Sequence, residues 1–172
     1  MLFRSKCKFE VQEVEFLGFI IQPDTILTDP IKRAGIAEWP TPKCLRDVQS
    51  FLGFCNFYRK FMPHFSDIAK PLNLLQRKNT PWEWTSECQN AFQQLKDTLA
   101  QEPALLVPDK DKPFTLETDA SKVATGAVLY QTNTNGELQP CGYISQSLNE
   151  HEQRYEIYDR ELLAIVRGLT KW

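Results

Sequence analysis

The apolar residues of this chain change their period, and that change restricts the fold more than any single motif. From Asp29 to Leu99 they recur at three- and four-residue spacing, the period of a helix buried on one side. Beyond a charged stretch, Pro108 to Pro113 (PDKDKP), they alternate, the period of a half-buried strand. Helices and strands segregated in this way define an α+β chain, with a boundary in the charged linker. A length of 172 residues allows one sizeable domain or two small ones.

The spacing predicts the elements in turn. Cys7 to Val11 and Val14 to Ile21 read as strands. The run Phe16 to Ile21 (FLGFII) is nearly all apolar, so it is expected to be buried on both faces. Pro23 and Asp24 turn the chain, and Asp29–Pro30 opens a short helix to about Glu38. Thr41 followed by Pro42 suits a helix start, and Val48, Phe51, Leu52, Cys55, Tyr58 and Phe61 or Met62 make one apolar stripe in a helix to about Phe61. Gly53 lies inside that helix, which suggests close backbone packing there. Ser66 is expected to cap a helix to about Gln76. Thr85 is expected to cap another, with Cys88, Ala91, Phe92, Leu95 and Leu99 inward. Leu105 to Val107 reads as a strand. Phe114 to Asp119, Thr125 to Gln131 and Gln139 to Ser145 read as three more, with a hairpin turn at 132–136. Asn149, with Glu152 as capping-box partner, opens a last helix. Its expected core stripe is Tyr155, Tyr158, Leu162, Ile165 or Val166, and Leu169.

Charge is uneven. Residues 43–78 carry Lys43, Arg46, Arg59, Lys60, Lys70, Arg77 and Lys78 against Asp47 and Asp67, a net +5 in a chain of net −2. Such a segment suits a phosphate-facing surface, although a solvated helical face is the commoner reason for a modest excess. The cysteines Cys7, Cys44, Cys55, Cys88 and Cys141 are odd in number and show no metal spacing, which indicates a reducing, intracellular setting. The N-terminus lacks the apolar core of a signal peptide, and no apolar run reaches membrane-spanning length.

Several motifs agree in order. Lys6 to Phe9 (KCKF) and Val14 to Gly18 (VEFLG) resemble the end of a reverse transcriptase palm with its primer-grip region. Asp29 to Lys32 (DPIK) and Trp39 to Pro42 (WPTP) resemble the thumb entry. Ser50 to Gly53 (SFLG), Asn56 to Phe61 (NFYRKF) and Phe65–Ser66 resemble the thumb helices of Gypsy-type LTR retrotransposons. Trp84–Thr85, Cys88 and Ala91–Phe92 are similar to the connection. Leu116 to Ser121 (LETDAS), Gly126 to Leu129 (GAVL) and Tyr155 to Ala164 are similar to the start of the family's ribonuclease H domain. Thr25, Arg33, Gly35 and Asp159 depart from the family's usual residues.

The resemblance implies three segments: residues 1–40 as palm end, 41–111 as helical thumb and connection, and 112–172 as a truncated ribonuclease H-like β-β-β-α unit. It implies Asp119 and Glu161 as catalytic, metal-binding carboxylates for Mg2+, with Mn2+ as the alternative, bound weakly by only two ligands. It implies Lys43, Arg46, Arg59 and Lys60 as contacts to an RNA–DNA hybrid or primer–template duplex. The remaining Pol domains (palm, rest of ribonuclease H, integrase) are the implied partners, and a cytoplasmic virus-like particle or the nucleus the implied location. The family's activities are RNA-directed DNA synthesis and hydrolysis of RNA in RNA–DNA hybrids. No Tyr-x-Asp-Asp occurs, and the later ribonuclease H carboxylates are absent, so the isolated chain is expected to be inactive. A decayed or domesticated non-enzymatic interaction module is the alternative. Taken singly, an aspartate after a strand is most often a turn residue, and a helical glutamate most often faces solvent. The same holds for Glu117 and Asp159, the weaker candidates.

Overall fold

A computed structural model describes residues 9–101 and 104–172. Lys6, Cys7 and Lys8 of the primer-grip motif lie outside the described residues, and residues 9–11 are not a strand.

The apolar run at 14–21 is a hairpin, not one buried strand. Strands β1 (Val14–Phe16) and β2 (Phe19–Ile21) pair antiparallel, with Phe16 opposite Phe19. Leu17 and Gly18 form the two-residue turn with φ of 49° and 79°, the primed-turn geometry that follows strand twist. Phe16 and Leu17 are therefore exposed. A second reversal at Pro23–Asp24 leads into β3 (Thr25–Thr28), a strand the sequence pattern did not single out.

Asp29 accepts a hydrogen bond from Ile31 N at 2.8 Å and opens α1 (Pro30–Ala37), as expected. Helix α2 (Leu45–Phe57) starts later than Thr41–Pro42 suggests. Asp47 supplies the start signal by accepting from Lys43 N at 2.9 Å. That bond is the first cause holding the Asp47 carboxyl below its usual range. After a 3-10 turn (Arg59–Phe61), the single helix expected to 76 is two short ones, α3 (Phe65–Ile68) and α4 (Lys70–Leu74). Ser66 lies within α3 and does not cap it. Pro71 lacks the N–H that a continuous helix would use there, which favours the restart. Helix α5 (Ser86–Ala100) is capped by Thr85, which accepts from Cys88 N at 3.3 Å.

One core unites these helices. Val48, Phe51, Leu52 and Cys55 of α2 meet Cys88, Ala91, Phe92, Leu95 and Leu99 of α5. Phe51 and Phe92 are 4.6 Å apart between ring centroids, and Phe19 of β2 stacks on Phe57 at 5.1 Å. Burial pushes the Cys55 thiol up to about 12. Strand β4 (Ala104–Leu106) places Leu105 in this core and joins β3, giving the sheet order β1-β2-β3-β4. The first sheet thus combines the segment before residue 40 with a strand from the end of the helical segment.

The second sheet is β5 (Thr115–Ala120), β6 (Ala124–Thr132) and β7 (Leu138–Ser147), antiparallel in that order. The charged linker before it is pinned. Buried Gln131 donates to the carbonyls of Asp109 and Lys112 and accepts from Asp109 N. Asn149 and Glu152 form the expected capping box, at 2.9 and 3.0 Å, but it closes a 3-10 turn (Glu152–Arg154). The final helix, α6 (Ile157–Lys171), starts after it.

Helix α6 lies against β5 and β6 through small residues. Ala164 and Gly168 are buried. The expected apolar stripe is on the outside: Tyr158 is 83% exposed, Leu162 58% and Leu169 66%, with Tyr155, Ile165 and Val166 also exposed. Close approach to Leu116 and Ala127 leaves room only for a small face. No helix among the described residues is long and apolar enough to cross a membrane.

Candidate functional site

Asp119 and Glu161 lie at the same end of the β5-β6-β7-α6 unit. Asp119 pairs with Gly126 near the end of β5, and its side chain is exposed. Glu161 is half-buried on the α6 stripe that continues to Ala164 and Gly168. Next to it, Arg160 donates from Nη1 to the Ser121 carbonyl at 2.9 Å, which fixes the start of α6 beside the β5 end.

The two carboxylates approach that end from different sides. A Cβ on Gly168 would meet Leu116 and Ala127, so these two face α6. Asp119 has the opposite parity on β5. A Cβ on its partner Gly126 would come within 3.9 Å of His64 Nδ1. Asp119 therefore leaves the strand on the face carrying His64, where a cleft of about 310 Å³ is also lined by Glu117, Tyr130 and Tyr143. Among the described residues β5 is an edge strand, and its open edge is where groups from both faces can converge. The fit to a metal is that of half a site, with two hard oxygen donors. Among the described residues, no group of three or more His, Cys, Asp or Glu could hold a metal ion. Glu117 shares the Asp119 face and lies beside Tyr130, whose phenol is pushed up by burial and then by Glu117. Asp159 is exposed in the first turn of α6.

The four cations divide into two pairs. Lys43 and Arg46 are exposed at the start of α2. Arg59 is committed internally: its guanidinium donates to the Ser145 carbonyl of β7 and to Asn56 Oδ1, and it lies over the Phe65 ring. Lys60 Nζ sits 4.0 Å from the centroid of Phe19, and burial lowers its pKa. Arg59 and Lys60 are thus built into the seam between segments.

That seam was not legible in the sequence. Ser66 N donates to Ser145 Oγ at 2.9 Å, and Ser121 Oγ donates to Asp67 Oδ1 at 2.6 Å. Nor was a polar groove alongside it. Arg46, Gln49, Gly53 and Asn56 share one face of α2 by their spacing. Gln49, Gly53 and Asn56 line a groove of about 580 Å³ with Asn73, Gln76 and Gln146. Among the described residues, a Cβ on Gly53 would meet nothing within 4 Å, so close packing among them does not explain this glycine.

A three-stranded antiparallel sheet backed by a helix, with carboxylates at the strand end and on the helix, is a ribonuclease H-like unit, here docked on a helical connecting segment. The chain belongs to the family described as the RNase H-like domain found in reverse transcriptase, which matches residues 84–172. It is 43% identical over 163 residues to the retrovirus-related Pol polyprotein from transposon 297 of Drosophila melanogaster, covering 94% of this chain and 15% of that protein. It is 35% identical over 169 residues to the transposon Tf2-3 polyprotein of Schizosaccharomyces pombe, covering 98% of this chain and 13% of that one. The resemblance to Gypsy-type retrotransposon Pol proteins is shown on this ground, and the chain spans a small fraction of those relatives. The foamy viral protease–reverse transcriptase in complex with an RNA/DNA hybrid superposes with TM-score 0.78 and 28% identity, over 93% of this chain and 22% of that one. The same viral protein in complex with double-stranded DNA gives 0.76 and 27%, over 94% and 34%.

Proposed function

We propose that this chain is the part of a Pol polyprotein that receives a nucleic-acid duplex on its helical segment and contributes two carboxylates to hydrolysis of the RNA strand of an RNA–DNA hybrid. The observation that carries the reading is the seam. Arg59, Ser66 and Asp67 tie the helical segment to the sheet that bears Asp119, so one duplex lying along α2 is held in a fixed relation to that sheet. Lys43 and Arg46 supply cations for phosphates. The amide-lined groove supplies neutral donors and acceptors, and Gly53 leaves backbone open to close approach. Such contacts position a duplex without reading its sequence.

Asp119 and Glu161 are the residues that would hold a divalent cation, Mg2+ or Mn2+. When bound, such ions activate a water and neutralise charge on the departing oxygen. Two carboxylates hold an ion weakly, so this chain by itself has little nuclease activity. RNA-directed DNA synthesis belongs to the longer protein.

The test uses the 172-residue chain and a labelled RNA–DNA hybrid. Binding is expected to be weak and to fall with salt, and the double variant Lys43→Ala/Arg46→Ala is expected to lower the salt slope by about 2. Binding unaffected by salt would overturn the duplex reading. Robust Mg2+-dependent cleavage that Asp119→Asn abolishes would overturn the claim of low activity.

A further inference from the structure

Three elements meet at the turn that follows Asp119. Ser121 follows the last residue of β5, and its hydroxyl is fully engaged. It accepts from Val123 N at 3.1 Å and Ala124 N at 2.9 Å, which closes the turn into β6. Its proton has two acceptors in reach, Asp67 Oδ1 at 2.6 Å and the Ala124 carbonyl at 3.1 Å. The Asp67 distance is that of a charge-assisted bond, so the proton goes there. Asp67 belongs to α3, in the helical segment, and is half-buried. On the other side, the Ser121 carbonyl accepts from Arg160 Nη1. Among the described residues, the buried Arg160 Nε has no hydrogen-bond partner, so the Ser121 carbonyl is an anchor of that guanidinium. A single residue thus joins α3, the β5–β6 turn and the start of α6.

We propose that Asp67 is a positioning residue for the carboxylate pair. Acting through Ser121, it fixes the strand end that carries Asp119 relative to the helix turn that carries Glu161. This rests on the reading of Asp119 and Glu161 as metal ligands. The physical reason is the short lever. Asp119 is two residues before Ser121, and Glu161 follows Arg160 directly. Loss of the Asp67 acceptor turns the Ser121 proton to the Ala124 carbonyl and releases the turn from the helical segment. The carboxylates then sample a wider range of separations, and a cation that depends on both is held less well.

The experiment uses Mn2+ as the probe, titrated into the 172-residue chain by water-proton relaxation, beside amide hydrogen exchange without metal. Asp67→Ala is expected to weaken Mn2+ binding about tenfold, the low end of what supporting residues contribute. It is also expected to speed exchange at Val123 and Ala124. Asp67→Asn keeps a side-chain oxygen acceptor and is expected to restore most of both. Ser145→Ala breaks the seam elsewhere and is expected to lower stability while leaving Mn2+ affinity unchanged. Asp119→Asn separates the two claims. If it abolishes Mn2+ binding while Asp67→Ala changes neither affinity nor exchange, the positioning role is overturned and the metal reading survives. If Asp119→Asn leaves Mn2+ binding as it was, the metal reading falls, and the positioning role falls with it. The exchange data then report only whether the Asp67 tie exists. Equal loss of affinity in Ser145→Ala would show that Asp67 acts through general stability, and would also overturn the proposal.

Discussion

The contact between α6 and the sheet sets where Glu161 sits, and Gly168 is the residue on which that contact can be measured. Replacing it by alanine has two opposed effects. Alanine is the better helix former, by about 0.5–1 kcal/mol. Yet its Cβ would stand 3.2 Å from Leu116 Cδ2, 3.3 Å from Leu116 Cδ1 and 3.3 Å from Ala127 Cβ. These distances lie inside ordinary van der Waals contact, and overpacking of this kind costs about 1–3 kcal/mol. The close contact wins, so Gly168→Ala is expected to destabilise by about 1–2 kcal/mol, a fall in Tm of about 2–8 °C at this chain length. Two of the three close atoms belong to Leu116. In a Leu116→Ala background the same substitution should be neutral or stabilising by about 0.5 kcal/mol, giving a coupling energy of about 1–2 kcal/mol in a double-mutant cycle. Urea unfolding of the four proteins provides the assay. If Gly168→Ala stabilises the parent by its full propensity gain and the cycle shows no coupling, α6 does not lie this close to β5.

Two further outcomes are expected. Glu152 accepts from Asn149 N and then pairs with Arg167 at 2.8 Å, and both hold its carboxyl below the ordinary value of 4.5. A depressed folded value means that this stabilisation is complete above the unfolded value and is lost as pH falls through the folded one. Glu152→Gln should therefore flatten the fall in stability below pH 4.5 in urea titrations, and an unchanged slope would refute the pairing. Iodoacetamide on the native protein should label exposed Cys44 and spare buried Cys55, whose thiol burial holds at about 12. Peptide mapping that found Cys55 labelled as fast as Cys44 would contradict the packing of α2.

The helical half was legible because its signals are local. Thr85 before an apolar stripe, and Asp29 before Pro30, locate helix starts without knowledge of anything distant. The three strands of the second sheet were legible for the same reason, since alternation at 115–120, 124–132 and 138–147 needs only a local period. The failures are of another kind. FLGFII reads as one strand until Gly18 is seen to adopt a positive φ that breaks it. The outer stripe of α6 reads as core because hydrophobicity reports what a residue favours, while the small Ala164 and Gly168 decide what fits against the sheet. In the candidate site, the two carboxylates were indicated by the family resemblance alone, since an aspartate after a strand and a helical glutamate carry no signal of their own. Their emergence on different sides of β5 depends on strand parity and on His64, which come from distant parts of the chain. The seam of Arg59, Ser66 and Asp67 had no sequence signal, because each of its bonds spans more than fifty residues.

The pairing of β3 with β4 bears on how the molecule assembles in time. Thr25 to Leu27 of β3 find their partners only at Ala104 to Leu106, across a loop that contains every helix from α1 to α5. Emerging from a ribosome, the two hairpins of β1 to β3 would wait with one side of β3 unsatisfied until that whole loop had been made. Closing so long a loop by chance contact is slow, and contacts of this range are the ones that set folding rates. The collapse of α2 onto α5 around Phe51 and Phe92 shortens the search, since α5 leads directly toward β4. The helical core is therefore the device that closes the first sheet, and a chain interrupted before Leu106 would be left with an open strand edge on which other chains could pair.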